Sequence, residues 1–426
     1  MERTLLIRAL ALYLPLLGAI AVWKWRAPSR LEGTGALLAT AWNFSALFLL
    51  NYAAQFFGWW SFAARGLVLL GFPFDLWLGW SVLWGAFAVL LFRKAPLWVV
   101  VAIFAFGDLV LMPLCSPVLL LGRGWLAGEA LGLLSCLVPG LLFARWTRDQ
   151  LHVDLRALMQ FLCFSGLFFS MLVSLDQSFQ LRLFARLTPL CLQIIVQVLF
   201  LIALPALSAV QEFAAVGQGT PLPFDPPRML VTSGIYSYIA NPMQTSNTLL
   251  LLVLAIALHT FWLALPAVVS LVYSAGLAAW DEGDDLKTRY GKSYLLYREG
   301  VSDWVPRWRP YIPQPARLYL SEDCGKCSQM ARFLEVLRPI GLKIVPAEEH
   351  PDRDLERMTY ESHDGSIQQA GIAALARALE HVNLGWAFLG MAMRLPVINS
   401  LLQAIADVSG GEPTLVRRRS CAIQPR

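Results

Sequence analysis

Thr245–Trp280 reads TSNTLLLLVLAIALHTFWLALPAVVSLVYSAGLAAW, and the five residues after it are DEGDD. The first stretch contains no Asp, Glu, Lys or Arg; the second is four acids around one glycine. A membrane-spanning helix needs about 20 mostly apolar residues. The stretch therefore divides into two short helices, Thr245–Ala264 and Leu265–Trp280, turned back on each other at Pro266. Asp281 marks the passage from lipid to water, and the two sides of it call for different folds.

Upstream, the same reading finds seven further apolar runs: Leu5–Trp23, Thr34–Phe57, Leu67–Phe92, Leu97–Leu121, Leu126–Phe143, Leu155–Leu175 and Leu187–Val210. With the hairpin this predicts a polytopic all-α membrane bundle of about nine spans. Composition agrees, at 57% hydrophobic and 15% charged residues, too apolar for ordinary soluble domains. The first run is expected to be a retained helix and not a signal peptide, because Lys24, Arg26 and Arg30 follow it instead of leading it. Alternate loops carry Lys24, Arg26 and Arg30, then Arg93 and Lys94, then Arg145, Arg148 and Arg156, then Arg228; the opposite set holds Arg65, Arg123, Arg182 and Arg186. The positive-inside rule then places the N-terminus outside and everything after Trp280 in the cytoplasm of an inner-type, multi-pass protein. Asp75, Asp108 and Glu129 lie in or beside apolar runs. Intramembrane acids are candidates for function, though each could equally cap a helix end.

The net charge of +5 is small for 426 residues, and no basic stripe interleaved with aromatics is visible, so nucleic acid is not an expected partner. The lipid bilayer is. Five dispersed histidines offer no pair at ligand spacing, so no metal is expected. Cys115, Cys136, Cys163 and Cys191 stand singly in apolar runs, where a thiol behaves as a small core residue.

Downstream of Trp280 the pattern changes. Asp284–Glu299 reads as an amphipathic helix with Leu286, Tyr290, Tyr294 and Tyr297 on one face, and Pro306, Pro310, Pro313 and Pro315 mark a linker. Three domains are expected: N-terminal transmembrane helices over 1–210, a membrane core with its hairpin and cytosolic cap over 211–309, and a small α/β domain over 316–426.

Two segments carry candidate chemistry. Arg228–Gln244 reads RMLVTSGIYSYIANPMQ, a Gly-, Tyr-, Asn- and Pro-rich loop directly before the hairpin. An interfacial aromatic belt would account for it. Taken with the helix after the hairpin, it resembles the signature of the isoprenylcysteine carboxyl methyltransferase and phospholipid methyltransferase superfamily. Leu230-Val231-Thr232, Gly234, Tyr236 and Asn241-Pro242 match the first half; Glu282, Leu286, Tyr290-Gly291, Tyr294, Tyr297, Val301 and Trp304-Val305-Pro306 match the second. The resemblance covers about 228–306 and implies an S-adenosylmethionine site held by Leu230, Val231, Tyr236, Asn241, Pro242 and Glu282. A carboxylate suits the cofactor's ammonium or ribose hydroxyls, and aromatic rings favour a nearby sulfonium. The family's Arg before His/Asn-Pro is Ala240 here, its following Tyr is Gln244, its second acid is Gly283, and its substrate-facing Arg is Ala278. A prenylcysteine carboxylate is therefore not supported as the acceptor.

The second segment is Cys324-Gly325-Lys326-Cys327. A strand over Arg317–Leu320, a helix from the motif to about Leu337 and a strand over Leu342–Ala347 frame it. A helix N-terminus and Lys326 favour thiolate, making Cys324 the expected nucleophile and Cys327 the resolving thiol; half a zinc site or two idle thiols are the alternatives. The segment over about 316–420 resembles the DCC family of thioredoxin-like proteins in Asp323-Cys324 and Cys327, Asp364-Gly365, Gly371, Leu395-Pro396 and the basic Arg417-Arg418-Arg419. Its usual Tyr-Asp-Gly is Leu320-Ser321-Glu322 here. Membership implies thiol–disulfide exchange with a thiol or disulfide substrate. The leading expectation is an S-adenosylmethionine-dependent membrane methyltransferase, acting on a membrane-embedded acceptor and fused to a cytosolic CxxC oxidoreductase module. The rivals are a membrane-anchored redox protein with a degenerate methyltransferase core, and a transporter using Asp108 or Glu129.

Overall fold

The computed structural model describes residues 2–63, 68–69, 71–179, 187–221, 227–273 and 279–418, without the side chains at 175, 177–179, 273 and 279–284. The chain divides into two compact units, Met1–Arg186 with Gly219–Pro226, and Leu187–Gln218 with Pro227–Arg426.

The first unit is built from α1 (Glu2–Arg26), α2 (Arg30–Phe57), α3 (Phe74–Leu91), α4 (Leu97–Leu114), α5 (Trp125–Asp149) and α6 (Val153–Phe179). Helix α2 sits at its centre. Its start is fixed by a reciprocal capping box between Ser29 and Glu32. Small residues let its neighbours come close, as membrane helices require: a Cβ at Gly35 would lie 2.8 Å from the Ala144 carbonyl oxygen of α5. Phe44 of α2 stacks on Trp77 of α3 at 4.1 Å between ring centroids. Thr40 intrudes on α3, its Oγ1 accepting the Ala86 N–H at 2.9 Å. There the helix widens into a π turn over Leu83–Phe87, an ordinary response to a side chain entering the ladder.

Charges in this unit are partnered across helices. Arg8 meets Asp75 at 2.6 Å, so Asp75 is a structural partner at the first turn of α3. Glu32 pairs with Arg93, Arg148 donates to the Arg93 carbonyl at 2.7 Å and Arg145 to that of Ala95 at 2.7 Å. The basic loops thus gather at one end of the bundle. At the other end, β1 (Trp60–Phe62) and β2 (Leu119–Leu121) form a short antiparallel ribbon.

The second unit opens with α7 (Pro189–Ala215), followed by the loop that the sequence singled out, then α8 (Pro242–Ala257), α9 (Ala264–Tyr273) and α10 (Ala279–Gly300). Helices α1 to α7 are the seven described ones long and apolar enough to cross a membrane, two fewer than the nine spans expected. The hairpin helices make the difference: at 16 residues α8 reaches only about 24 Å, short of a hydrocarbon core of about 30 Å. The hairpin break also falls at Leu258–Leu263 and not at Pro266. Pro266 sits in the first turn of α9, where its missing N–H has no helical partner to lose.

After α10 the chain forms β3 (Ala316–Leu320), α11 (Gly325–Leu337), β4 (Leu342–Pro346), β5 (Thr359–Glu361), β6 (Gln368–Ala370), α12 (Ile372–Leu379), α13 (Leu384–Arg394) and α14 (Pro396–Ala406). The sheet order is β4-β3-β5-β6. β3 and β4 are parallel across the α11 crossover, while β5 and β6 run antiparallel. Leu318, Leu320, Leu334, Ala374 and Leu379 close its core.

The proline-rich segment between α10 and β3, expected as a linker, is docked on the loop before α8. Its backbone is bonded along the preceding loop: Ala240 N–H to Ser302 O at 3.0 Å, Arg307 N–H to Tyr238 O at 3.0 Å and Tyr311 N–H to Ser237 O at 2.8 Å. Prolines leave the carbonyls, and the intervening residues supply the donors, so the segment lies down as a strap.

Candidate functional site

The loop before α8 is shaped by what lies under it. Gly234 opens a 3-10 turn over Gly234–Ser237 at φ +59°, and a Cβ there would stand 2.7 Å from Glu212 Oε1. Both the left-handed backbone and the close approach call for glycine. Ser233, just before it, donates to Glu212 Oε2 at 2.5 Å. Glu212 is the last acid of α7 and is fully buried; Arg377 of α12 and Arg394 of α13 each reach its Oε1 at 2.7 Å. Glu380 completes the cluster, 3.2 Å from Arg377 and 2.8 Å from Arg394. Two guanidiniums and two carboxylates thus neutralise one another away from water. The charge on Glu212 and Glu380 holds the Arg377 guanidinium protonated against its burial.

The two halves of the signature come together. Tyr290 of α10 donates to the Pro227 carbonyl at 2.6 Å, and Tyr297 to that of Tyr236 at 2.8 Å. Burial pushes Tyr297 well above the usual tyrosine range, so it stays a donor. Gly291, at φ +55°, kinks α10 between these two tyrosines. Tyr236 stacks on Phe213 with ring centroids 5.2 Å apart and the planes nearly parallel. Val231, Tyr236 and Pro242 are buried in the loop's underside, whereas Leu230 and Asn241 are half-buried. Asn241 donates through Nδ2 to Asp303 Oδ1 at 3.1 Å, and its backbone N–H bonds to Asp303 O. Asp303 in turn holds Arg298 at 2.5 Å. Asp303 therefore orients the Asn241 amide, a role invisible in sequence because the aspartate lies in the strap. Glu282 falls within α10, but its side chain is not described, and Ala278 lies outside the described residues.

The cysteine pair stands elsewhere in the same unit. Cys324 is the N-cap of α11, with the Cys327 N–H directed at its Sγ at 3.3 Å. Hydrogen bonding from the Cys327 thiol lowers its pKa first, aided by the backbone N–H groups of Cys327 and Lys326 and by the Lys326 charge. Burial pushes the Cys327 thiol up to about 11, with its bond to Cys324 and the nearby charge of Glu348 adding to the effect. Glu348 was not among the residues expected from sequence. It is buried, accepts from Ser321 Oγ at 2.8 Å, and caps the Glu322 N–H. Lys326 is also tied to the Ser409 carbonyl. Among the described residues no group of three or more His, Cys, Asp or Glu could hold a metal ion.

Residues 192–293 match the family model described as phospholipid methyltransferase. The match runs from α7 through the loop and hairpin into α10, covering Glu212, Ser233, Tyr236, Asn241, Glu282 and Tyr290. Neither a curated protein nor a solved structure matches the chain.

Proposed function

We propose that the chain is an integral membrane S-adenosylmethionine-dependent methyltransferase, with the loop over 228–241 and Glu282 as the cofactor site. The observation that carries this reading is the pair of tyrosine clasps, Tyr290 to Pro227 and Tyr297 to Tyr236. They join the two signature halves, and Pro227, Tyr236 and Tyr290 lie within the segment similar to phospholipid methyltransferases, with Tyr297 just beyond it. The donor set suits a zwitterionic sulfonium: an oriented asparagine amide and a carboxylate for ammonium and hydroxyl groups, with tyrosine rings close by. When bound, the cofactor supplies an activated methyl group, whose transfer needs mainly proximity and alignment. On the protein side, Asp303 fixes the Asn241 amide, and Leu230 and Pro242 wall the loop. Glu212, through Ser233 and Gly234, sets the loop's path. The acceptor is a membrane-embedded molecule reached from the bilayer, a reading supported by the position of the 228–241 loop directly before the short apolar hairpin.

The 316–426 region is proposed as a thioredoxin-like, DCC-type thiol–disulfide module acting on a thiol or disulfide substrate. The β4-β3-β5-β6 order with α11 crossing between the parallel strands supports it, as do the opposed shifts of Cys324 and Cys327. The positive-inside pattern supports an inner-membrane protein with this module in the cytoplasm.

Calorimetric titration of S-adenosylmethionine into the detergent-purified protein tests the cofactor site. Glu282→Gln removes a charge-assisted contact of about 1.5–3 kcal/mol, which weakens binding roughly ten- to a hundredfold. Equal affinity in wild type and variant would rule out this site.

A further inference from the structure

The first unit contains a cavity that the methyltransferase reading does not use. It has a volume of about 50 Å³, several times the ~10–15 Å³ that one water requires. Trp60, Trp77, Trp80 and Trp84 line it with Asn51 and Glu129, at the end of the bundle that carries the β1·β2 ribbon. Glu129 is 6% exposed, and its carboxyl is hydrogen-bonded to that of the likewise buried Asp108, so that two acids share one site at the cavity wall. A carboxyl–carboxyl bond needs one proton between the two, which leaves the pair one negative charge to be balanced.

Three of the four indoles have their N–H groups bonded within the protein. Trp60 Nε1 donates to Asn51 Oδ1 at 3.1 Å, Trp77 Nε1 to the Phe44 carbonyl at 2.8 Å and Trp84 Nε1 to Asp108 Oδ2 at 3.1 Å. An anion in the cavity would therefore meet the Glu129 carboxyl and no N–H from these three. Helix α5 is cut away to admit the rings. A Cβ at Gly128 would fall 2.5 Å from Trp60, and one at Gly132 3.3 Å from Trp84. These glycines are one turn apart, flanking Glu129, so the acid stands where the two indoles close on the helix. Two carboxyls do not make a metal site, and no group of three ligands exists among the described residues. An apolar ligand would leave the charge of the Asp108–Glu129 pair without a counter-ion.

We propose that this cavity binds the alkylammonium group of an amine, quaternary or protonated, with Glu129 as its counter-ion and the tryptophan faces as its walls. Aromatic faces attract such a cation, more strongly when water is excluded. The site belongs to the first unit and does not depend on the cofactor reading.

The test titrates choline chloride into the full-length protein in a maltoside detergent, which carries no ammonium group, following tryptophan fluorescence. The comparison ligand is 3,3-dimethylbutan-1-ol, the uncharged isostere of choline. Choline should quench saturably and bind at least tenfold more tightly than the alcohol, and Glu129→Gln should abolish that preference. Competition from phosphatidylcholine in phosphatidylglycerol nanodiscs, absent with phosphatidylglycerol alone, would assign the site to a lipid headgroup; choline binding indifferent to both lipids would assign it to a free amine. Equal binding of choline and its isostere, or no saturable choline response in the wild type, overturns the proposal without any variant.

Discussion

Removing two opposite charges from the Glu212 cluster should cost clearly less than the sum of removing each alone. The cluster holds Glu212, Glu380, Arg377 and Arg394, all nearly sealed from solvent. Glu212→Gln leaves an uncompensated positive charge beside two guanidiniums and weakens the acceptor of the Ser233 hydroxyl. Breaking a buried pair in this way costs about 3–5 kcal/mol. At roughly 2–4 °C per kcal/mol for a unit of this size, the thermal midpoint should fall by about 6–20 °C. Arg377→Gln should cost a similar amount, leaving an uncompensated negative charge instead. The double variant restores neutrality, so its loss should be smaller than the sum of the two by about 2–3 kcal/mol, near the upper end of couplings between contacting residues. Thermal unfolding of the detergent-solubilised protein, followed by tryptophan fluorescence, gives the three differences. Strict additivity would refute the argument, because it would mean that the charges do not sense one another. Hydrogen exchange of the 228–241 backbone should rise in both single variants, and in the double by less than the two effects combined.

Tyr297→Phe should leave the Tyr236 carbonyl without its donor, costing about 1–3 kcal/mol and loosening S-adenosylmethionine binding; unchanged calorimetry would argue against the clasp. Gly234→Ala faces both φ +59° and the Glu212 side chain, so a midpoint drop larger than that of an Ala-for-Gly change on an exposed surface is expected in a melting scan. Limited iodoacetamide labelling at pH 6.5 with peptide mapping should modify Cys324 well before Cys327, since the first is shifted down and the second up to about 11; the reverse order would undo the proposed redox roles. Burial holds His381 neutral with its pKa pushed down to about 4, its Nδ1 bonded to the Ile340 carbonyl and its Nε2 to the Tyr360 hydroxyl. Its contribution is therefore full above the usual histidine value of about 6.5 and is lost as pH falls towards 4, by up to roughly 3 kcal/mol. The wild type should melt progressively lower between pH 7 and 4.5, and His381→Gln should show a flatter profile; parallel slopes would exclude this residue as the cause.

Much of the frame was legible because it rests on local rules. Apolar length marks the long helices, and the alternation of loop charges marks the end where Arg93, Arg145 and Arg148 gather. The strand and helix around Cys324, and the helix over Ile372–Leu379, follow from short patterns that tertiary context does not overrule. The resemblance to the methyltransferase signature implied one site shared by the two segments, and Tyr297 does reach the Tyr236 carbonyl. What escaped depends on distant partners. Neither Glu212 nor Arg377 stands out in the sequence, and only the fold pairs them. Asp303 and Glu348 act through neighbours far along the chain. The strap was misjudged because proline content says where a helix cannot form, not whether the backbone is docked.

The order in which this chain is made gives the buried cluster a temporal meaning. Ser208, on the same helix as Glu212, touches Arg394 across 186 residues of sequence. At a synthesis rate of about 5–20 residues per second, the helix is complete roughly ten to forty seconds before its partner leaves the ribosome. For most of that interval Glu212 carries its carboxyl near the end of an apolar helix without either arginine. A nascent chain halted between about residue 311 and Arg377 would therefore hold the whole signature and its strap while the acid beneath the 228–241 loop is still unpaired. Such a chain is a natural client for membrane chaperones and quality-control proteases, and its lifetime should lengthen abruptly once α13 has been translated.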